Sequence, residues 1–180
     1  MTSLLLKTGW ARHVVLVNLT KTLLVDLCYA AKTTGLDTNR SCSNVDDLRD
    51  LQTEGYPAGG ITAIEASQSE LLKLTPFDLA INIASMQEMN PEIVSDYFLH
   101  MRAYLSRTMP RYFYCCNREE KFLPDGKCVR FREYPWQDND EILVDGLYPW
   151  HQFFYTKRPP FFSGYRGPTY HQLVSLAASQ

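Results

Sequence analysis

The segment 78–84, apolar except for Asp78 and Asn82, stops at a polar cluster around Ser85 and Glu88, and an amphipathic helix starts directly afterwards. This order is typical of a buried parallel strand that delivers its loop residues to the carboxyl edge of a sheet. In open α/β folds, ligands bind at that edge. The segment therefore predicts both a fold class and the position of a binding site.

Strand and helix signals alternate along the first half of the chain. The β-branched run at 14–17 predicts a strand, and a helix follows that is capped by Thr20. Residues 36–60 are polar and contain several turn residues, so we predict a loop with one short helix there. Residues 61–65 predict a second strand, and the sequence from Ser67 to Glu70 fits a capping box.

The second half begins with a helix and then changes character. Asn90 and Pro91 suit a helix start, and residues 112–116 predict a further strand. A hairpin is predicted around residues 124–127 and a short closing helix over 170–178. These elements predict an α/β, Rossmann-like fold with a mostly parallel sheet, helices on both faces and an antiparallel C-terminal portion. We expect one domain over 1–180.

Composition excludes several classes of function. The 18 basic and 20 acidic residues nearly cancel, so we predict no nucleic acid and no membrane as partner. No apolar stretch approaches the length of a membrane span. The five cysteines lack a CxxC spacing and the four histidines lie far apart. We therefore predict reduced thiols in a cytoplasmic protein, and no metal site.

Ser85 and Glu88 are the first candidate site residues. Ser85 ends the strand, so its hydroxyl should face the crevice beyond the sheet edge. The Glu88 carboxylate could accept a proton or bind hydroxyl groups. An equally good alternative is that Glu88 supports the following helix start and that Ser85 makes a local hydrogen bond.

Four further residues are candidates, each with a structural alternative. Asn18 ends the first strand, where Rossmann-like folds place an acidic residue that binds a ribose; it also suits a turn. Ser67 and Gln68 follow the second strand, although a capping box explains Ser67. His151 could be a general base near neutral pH, or it could be packed among the aromatic residues of its loop.

The chain resembles the sugar O-methyltransferases, a branch of the class I S-adenosylmethionine-dependent methyltransferases. The resemblance lies in residues 15–20, 77–89, 117–121, 124–126 and 132–136. It implies S-adenosylmethionine as cofactor and a sugar or glycan hydroxyl as small-molecule acceptor. It also implies cofactor-binding residues at Asn18, Ser67, Gln68, Ala84 and Ser85. From the residues themselves, Glu88 and His151 are the candidates for the catalytic role.

The sequence departs from this family at the front. No GxGxxG motif is present, and the family's first strand with its Gly-rich loop has no counterpart. The departure predicts a fold without that strand, a fragment or impaired form of the enzyme, and weak binding of S-adenosylmethionine at best. The rival hypothesis is a non-catalytic Rossmann-like interaction domain that has lost cofactor binding.

Overall fold

The computed structural model describes residues 1–35, 39–104, 110–150, 152–164 and 167–177, with backbone only for 39–41. They form two compact units, Met1–Thr75 and Pro76–Gln180, and each unit is described by itself. No strand pairing among the described residues joins the two units. The single domain over 1–180 stays a prediction. None of the described helices combines the length and apolar character that crossing a membrane requires.

The first unit is built on a parallel sheet of three strands, in the order β1-β3-β2. Residues Ile61 to Ile64 of its central strand are all buried, and all but Thr62 are apolar. The elements are α1 (Thr2–Lys7), β1 (Val14–Asn18), α2 (Thr20–Thr34), β2 (Asn39–Cys42), α3 (Val45–Glu54), β3 (Ile61–Glu65) and a 3₁₀-helical segment, Ala66–Leu74.

Helices pack on this sheet. Leu48 and Leu51 of α3 pack with Leu71 and Ile64 in one cluster of buried residues. Helix α2 contacts β1 and β3, and its buried residues, Leu23 and Ala30, lie outside that cluster. That helices cover both faces of the sheet stays a prediction for this unit.

Three local predictions in the first unit are wrong. Leu19, not Thr20, occupies the N-cap position of α2, and the Thr20 hydroxyl donates instead to the carboxylate of Glu65. The segment after β3 is a 3₁₀ helix without a side-chain cap, so Ser67 forms no capping box. Strand β2 lies where the sequence predicts a loop, because the free edge of β3 supplies backbone partners that local propensity does not reveal.

The second unit contains a mixed sheet in the order β4-β5-β11-β8. Strands β4 and β5 are parallel, whereas β11 is antiparallel to both β5 and β8. The prediction of parallel strands followed by an antiparallel C-terminal portion is confirmed. The elements are β4 (Leu79–Ile83), α4 (Pro91–Ala103), β5 (Tyr112–Arg118), β6 (Glu120–Phe122), β7 (Cys128–Arg130), β8 (Glu141–Leu147), β9 (Phe153–Tyr155), β10 (Phe162–Gly164) and β11 (Thr169–Ser175).

The core of the second unit lies on one face of this sheet. Val94 and Phe98 of α4 pack there against Phe113 of β5 and Val174 of β11, with Phe131 completing the cluster. Helix α4 is the only α-helix in the described part of this unit, and it packs on the core face. No α-helix of the described part therefore covers the other face. The prediction of helices on both faces is therefore wrong for the second unit as far as it is described.

A buried ion pair joins three parts of the second unit. The Arg102 guanidinium donates to both carboxylate oxygens of Asp140, at 2.7 and 2.6 Å, and to the carbonyl of Ala177 at 2.8 Å. The two side chains are 3% and 2% exposed. The pair ties the end of α4 to the turn before β8 and to the residues after β11.

The prediction of a short helix over residues 170–178 is wrong as far as these residues are described, because residues 169–175 form β11. This strand lies between β5 and β8, and its buried residues, Thr169, Gln172 and Val174, are not evenly spaced, so the local sequence shows no regular alternation. Backbone pairing on both sides decides its conformation.

Candidate functional site

A cleft of about 290 Å³ lies at the carboxyl ends of β4 and β5 in the second unit. The two strands are parallel, so both end at the same edge of the sheet. The position is the one that the sequence predicts for a site. The lining residues are Ile83, Ala84, Gln87, Cys116, Asn117, Arg118, Tyr148, Trp150 and Thr169.

Ala84 makes the turn that shapes the floor of the cleft. Its φ is 61°, in the left-handed region that residues other than glycine rarely adopt. Its backbone N–H donates to the carbonyl of Cys116 at 2.8 Å. Such a conformation persists only where the surroundings enforce it, and these positions cluster at functional sites.

Polar residues of the cleft lining and the neighbouring Asn82 form one hydrogen-bonded network. Fully buried Asn117 donates to the Asn82 side-chain oxygen at 3.0 Å and accepts from the Gln87 backbone N–H at 3.3 Å. The Gln87 side-chain oxygen in turn accepts from the Arg118 backbone N–H at 2.8 Å. The network therefore holds the loop after β4 against the end of β5.

Ser85 and Glu88 do not line the cleft, whereas the predicted residue Ala84 does. The Ser85 hydroxyl accepts from Asn82 at 2.6 Å, the local hydrogen bond that the alternative hypothesis predicts. The Glu88 carboxylate lies 3.0 Å from the Lys121 ammonium and is half exposed. Its negative charge thus already has a partner.

Asn18, Ser67 and Gln68 lie in the first unit. The Asn18 oxygen accepts from the Leu19 backbone N–H at 2.9 Å, and its amide donates to Asp26 at 3.4 Å. These bonds match the turn role that the sequence leaves open. Ser67 is exposed and Gln68 half-buried in the 3₁₀-helical segment after β3. His151 lies outside the described residues.

Glu65 is a residue that sequence reasoning missed. It ends β3 and is paired in register with Asn18 at the end of the neighbouring strand β1. Its carboxylate accepts a hydrogen bond from the Thr20 hydroxyl. Its carboxylate is negatively charged and lies on the strand next to Asn18, which carries no charge. The signal was available, because the predicted strand 61–65 ends at this carboxylate.

Asn117 and Arg118 were also missed as lining residues, whereas Gln87 lies in the loop, residues 84–88, that the resemblance places beside cofactor and substrate. An apolar strand that ends in a polar pair predicts a position at the sheet edge, and residues 112–118 show this pattern as clearly as 78–85. Tyr148 and Trp150 carry no such signal, because the connection after β8 brings them to the cleft through pairing with β11.

The described lining of the cleft offers groups for hydrogen bonding and ring contact. Burial raises the pKa of the Cys116 thiol. Burial is also the main cause that raises the pKa of the neighbouring Tyr114 to about 12. Both groups therefore stay protonated near neutral pH. The described lining contains amides, a guanidinium, two hydroxyls, a thiol and aromatic rings but no carboxylate. No group of three potential metal ligands occurs among the described residues.

Replacing Asn117 with leucine should lower the free energy of unfolding by about 1–3 kcal/mol, because buried partners lose their hydrogen bonds. The amides of Gln87 and Arg118 should also exchange with solvent faster. Urea denaturation and amide hydrogen exchange measure the two effects. Asn139→Leu, at an exposed position, is the control and should change neither. Unchanged exchange at Gln87 in Asn117→Leu would contradict the network's role.

Comparisons with known proteins give structural similarities only. Neither protein-family models nor curated proteins show a match. A SAM-dependent methyltransferase from Methanosarcina mazei is similar with a TM-score of 0.40 and 11% identity, over 93% of each chain. The 1,6-didemethyltoxoflavin-N1-methyltransferase of Burkholderia thailandensis, crystallised with S-adenosylhomocysteine, has a TM-score of 0.42 and 13% identity, over 96% of this chain and 75% of that one. Similarities of this size do not establish a family for the chain.

Proposed function

We propose that the chain is a methyltransferase-like domain of the class I S-adenosylmethionine-dependent type, with a sugar hydroxyl as acceptor, in a form that binds its cofactor weakly. The observation that carries the proposal is the cleft at the carboxyl ends of β4 and β5, behind the strained turn at Ala84. This cleft is formed by two of the segments that resemble the sugar O-methyltransferases, residues 77–89 and 117–121.

The residues of the cleft suit a cofactor with a flat base and polar groups. The polar side chains of Gln87 and Arg118 and the rings of Tyr148 and Trp150 combine a few polar groups with aromatic surface, as small-molecule sites commonly do. Ala84 and Ser85 would contact the cofactor through the loop after β4. That Asn18, Ser67 and Gln68 of the first unit contact a cofactor stays a prediction from the resemblance.

S-adenosylmethionine would supply an electrophilic methyl group. The part of this chain is to hold an acceptor hydroxyl in line with that group and to accept its proton. Glu88 and His151 are the proposed proton acceptors. The Glu88 carboxylate also pairs with the Lys121 ammonium at 3.0 Å.

An NMR titration with S-adenosylhomocysteine tests the proposal. We expect binding with a Kd near 1 mM, about −4 kcal/mol, because no Gly-rich loop is present to hold the methionine end. Shifts should be largest for the backbone amides of Ala84, Gln87 and Arg118. A monosaccharide added to the saturated protein should then shift the Tyr148 signals.

The matched variants are Gln87→Ala, which removes a side chain of the cleft, and Gln52→Ala, which lies in the first unit. Only the former should weaken the shifts at Ala84 and Arg118. Absence of shifts at millimolar ligand would refute cofactor binding. A micromolar Kd would refute the impaired form.

A non-catalytic interaction domain is the second candidate. The paired charge of Glu88 and the side-chain bonds that engage Asn18 within its own turn favour it. This candidate predicts that S-adenosylhomocysteine leaves every cleft amide unshifted, so the same titration separates the two functions.

A further inference from the structure

The hairpin formed by β9 and β10, residues 153–164, leaves large apolar rings in water; we call it the aromatic hairpin. Phe153, Tyr155 and Phe162 are 63%, 68% and 67% exposed. Among the described residues, the two strands pair only with each other. Isolated two-stranded hairpins are marginally stable in water, so an environment that covers these rings would stabilise this one.

Three of the rings share one face of the aromatic hairpin. Tyr155 is paired with Phe162, and Phe153 with Gly164. Because side chains alternate along a strand, Phe153 and Tyr155 point to the same side as Phe162. The Tyr155 and Phe162 rings meet edge to face, with centroids 5.9 Å apart and planes at 78°. The result is an apolar face with few polar groups of its own.

The turn between the two strands is basic. Lys157 and Arg158 are exposed there, and neither forms an ion pair within the described residues. The turn is closed by hydrogen bonds from Thr156 to the Phe161 carbonyl at 2.7 Å and to the Arg158 carbonyl at 2.6 Å. Residues 146–180 contain three basic and no acidic residues, whereas the whole chain has a net charge of −2.

We propose that the aromatic hairpin binds an anionic lipid bilayer surface. Aromatic rings favour the interfacial region of a bilayer, and basic residues beside them are attracted to anionic headgroups. The ring face would lie in the interface, with Lys157 and Arg158 directed to the headgroups. The balanced charge of the whole chain predicts no membrane partner, but it does not describe this segment. The inference is independent of the cleft and of the proposed function.

Single-stranded nucleic acid is the competing partner for a basic aromatic surface. Such binding uses exposed ring faces as platforms on which successive bases stack. The rings of Tyr155 and Phe162 cover each other edge to face instead. Only Lys157 and Arg158 supply positive charge on the described hairpin, whereas nucleic-acid affinity grows with the number of phosphate contacts. The observations therefore favour the bilayer.

Flotation of the full chain with vesicles tests the proposal. We expect about 30-fold more protein bound to vesicles with roughly 30% phosphatidylserine in phosphatidylcholine than to pure phosphatidylcholine, the effect of two basic residues near an anionic surface. Salt at about 0.5 M should abolish most of the difference by screening. A fluorescent oligo-dT, titrated under the same conditions, measures the competing partner.

Two double variants separate the contributions of rings and charges. Phe153→Ser with Phe162→Ser should abolish vesicle binding, and Lys157→Glu with Arg158→Glu should remove the preference for phosphatidylserine. The matched controls are Phe122→Ser, at a ring 67% exposed on the other hairpin, and Lys21→Glu with Lys73→Glu. All changed positions are exposed, and circular dichroism checks that each variant folds.

Binding that depends on phosphatidylserine and is lost only in the hairpin variants supports the proposal. Three results would overturn it: no binding to either vesicle, equal losses in the control variants, or retention of the oligonucleotide without vesicle binding.

Discussion

Replacing Asp140 with asparagine is expected to lower the free energy of unfolding of the second unit by about 3–5 kcal/mol. The Arg102 charge would remain in a site that is only 3% exposed, without its counterion. Asp140 also accepts from the backbone N–H groups of Gln137 and Ala177, both at 2.9 Å. One substitution therefore weakens four hydrogen bonds that join α4, the turn before β8 and the end of β11.

The Asp140 carboxylate should also make the free energy of unfolding depend on pH. Burial raises the pKa of Asp140, but hydrogen bonds from Arg102, Ala177 and Gln137 outweigh it, and the pKa is lowered. A lowered folded-state pKa means that this stabilisation is complete above the unfolded-state pKa of 3.8. It is lost as pH falls through the folded-state value. Asp140→Asn should lack this part of the acid dependence.

Urea denaturation followed by tryptophan fluorescence measures both effects. Trp10 and Trp150 are each 85% exposed, so the emission change reports mainly Trp136 of the second unit. Asp145→Asn is the control, since Asp145 pairs with Arg132 at the surface at 2.9 Å; exposed pairs contribute about 0–1 kcal/mol. Equal losses of unfolding free energy in Asp140→Asn and Asp145→Asn would show that the buried pair contributes no more to stability than the exposed pair.

Replacing Phe98 with alanine should also lower the free energy of unfolding by about 3–5 kcal/mol. Phe98 is 1% exposed at the centre of the second core. Its ring meets Phe113 and Trp136 edge to face, with centroids 5.3 and 4.9 Å apart. Truncation removes these contacts and leaves a cavity that neighbours on a sheet and a turn cannot fill.

The neighbouring residue on the same helix provides the control for Phe98. Leu99 is 53% exposed, and Leu99→Ala changes helix propensity as little as Phe98→Ala does while leaving the core intact. We expect less than about 1 kcal/mol from it. Urea midpoints at constant m-value measure both variants. A small loss in Phe98→Ala would mean that the core of this unit is loosely packed.

Local patterns predicted the elements whose burial follows a regular period. Helix α4 starts at Pro91 after Asn90, as its capping residues predict, and α2 ends at Gly35 with the left-handed conformation that glycine permits. The hairpin β6–β7 surrounds the predicted turn. In each case neighbours in sequence supply the stabilising contacts, so the sequence contains the signal.

The candidate site could be predicted in position but not in composition. Residues 78–84 end at the cleft as predicted, and Ala84 lines it. Ser85 and Glu88 instead contact Asn82 and Lys121. Tyr148 and Trp150 reach the cleft only through the pairing of β8 with β11, a contact between segments distant in sequence.

The sequence by itself determined the parallel strands β1, β3, β4 and β5, the helices α2 and α4, and the sheet edge at which a site should lie, because apolar periodicity and capping act over a few residues. Only the tertiary structure decided that residues 169–175 form a strand, that β2 exists, and that Asn117 and Gln87 organise the cleft. Those outcomes depend on backbone partners and buried hydrogen bonds supplied by distant segments, and such long-range pairing leaves no mark on the local pattern.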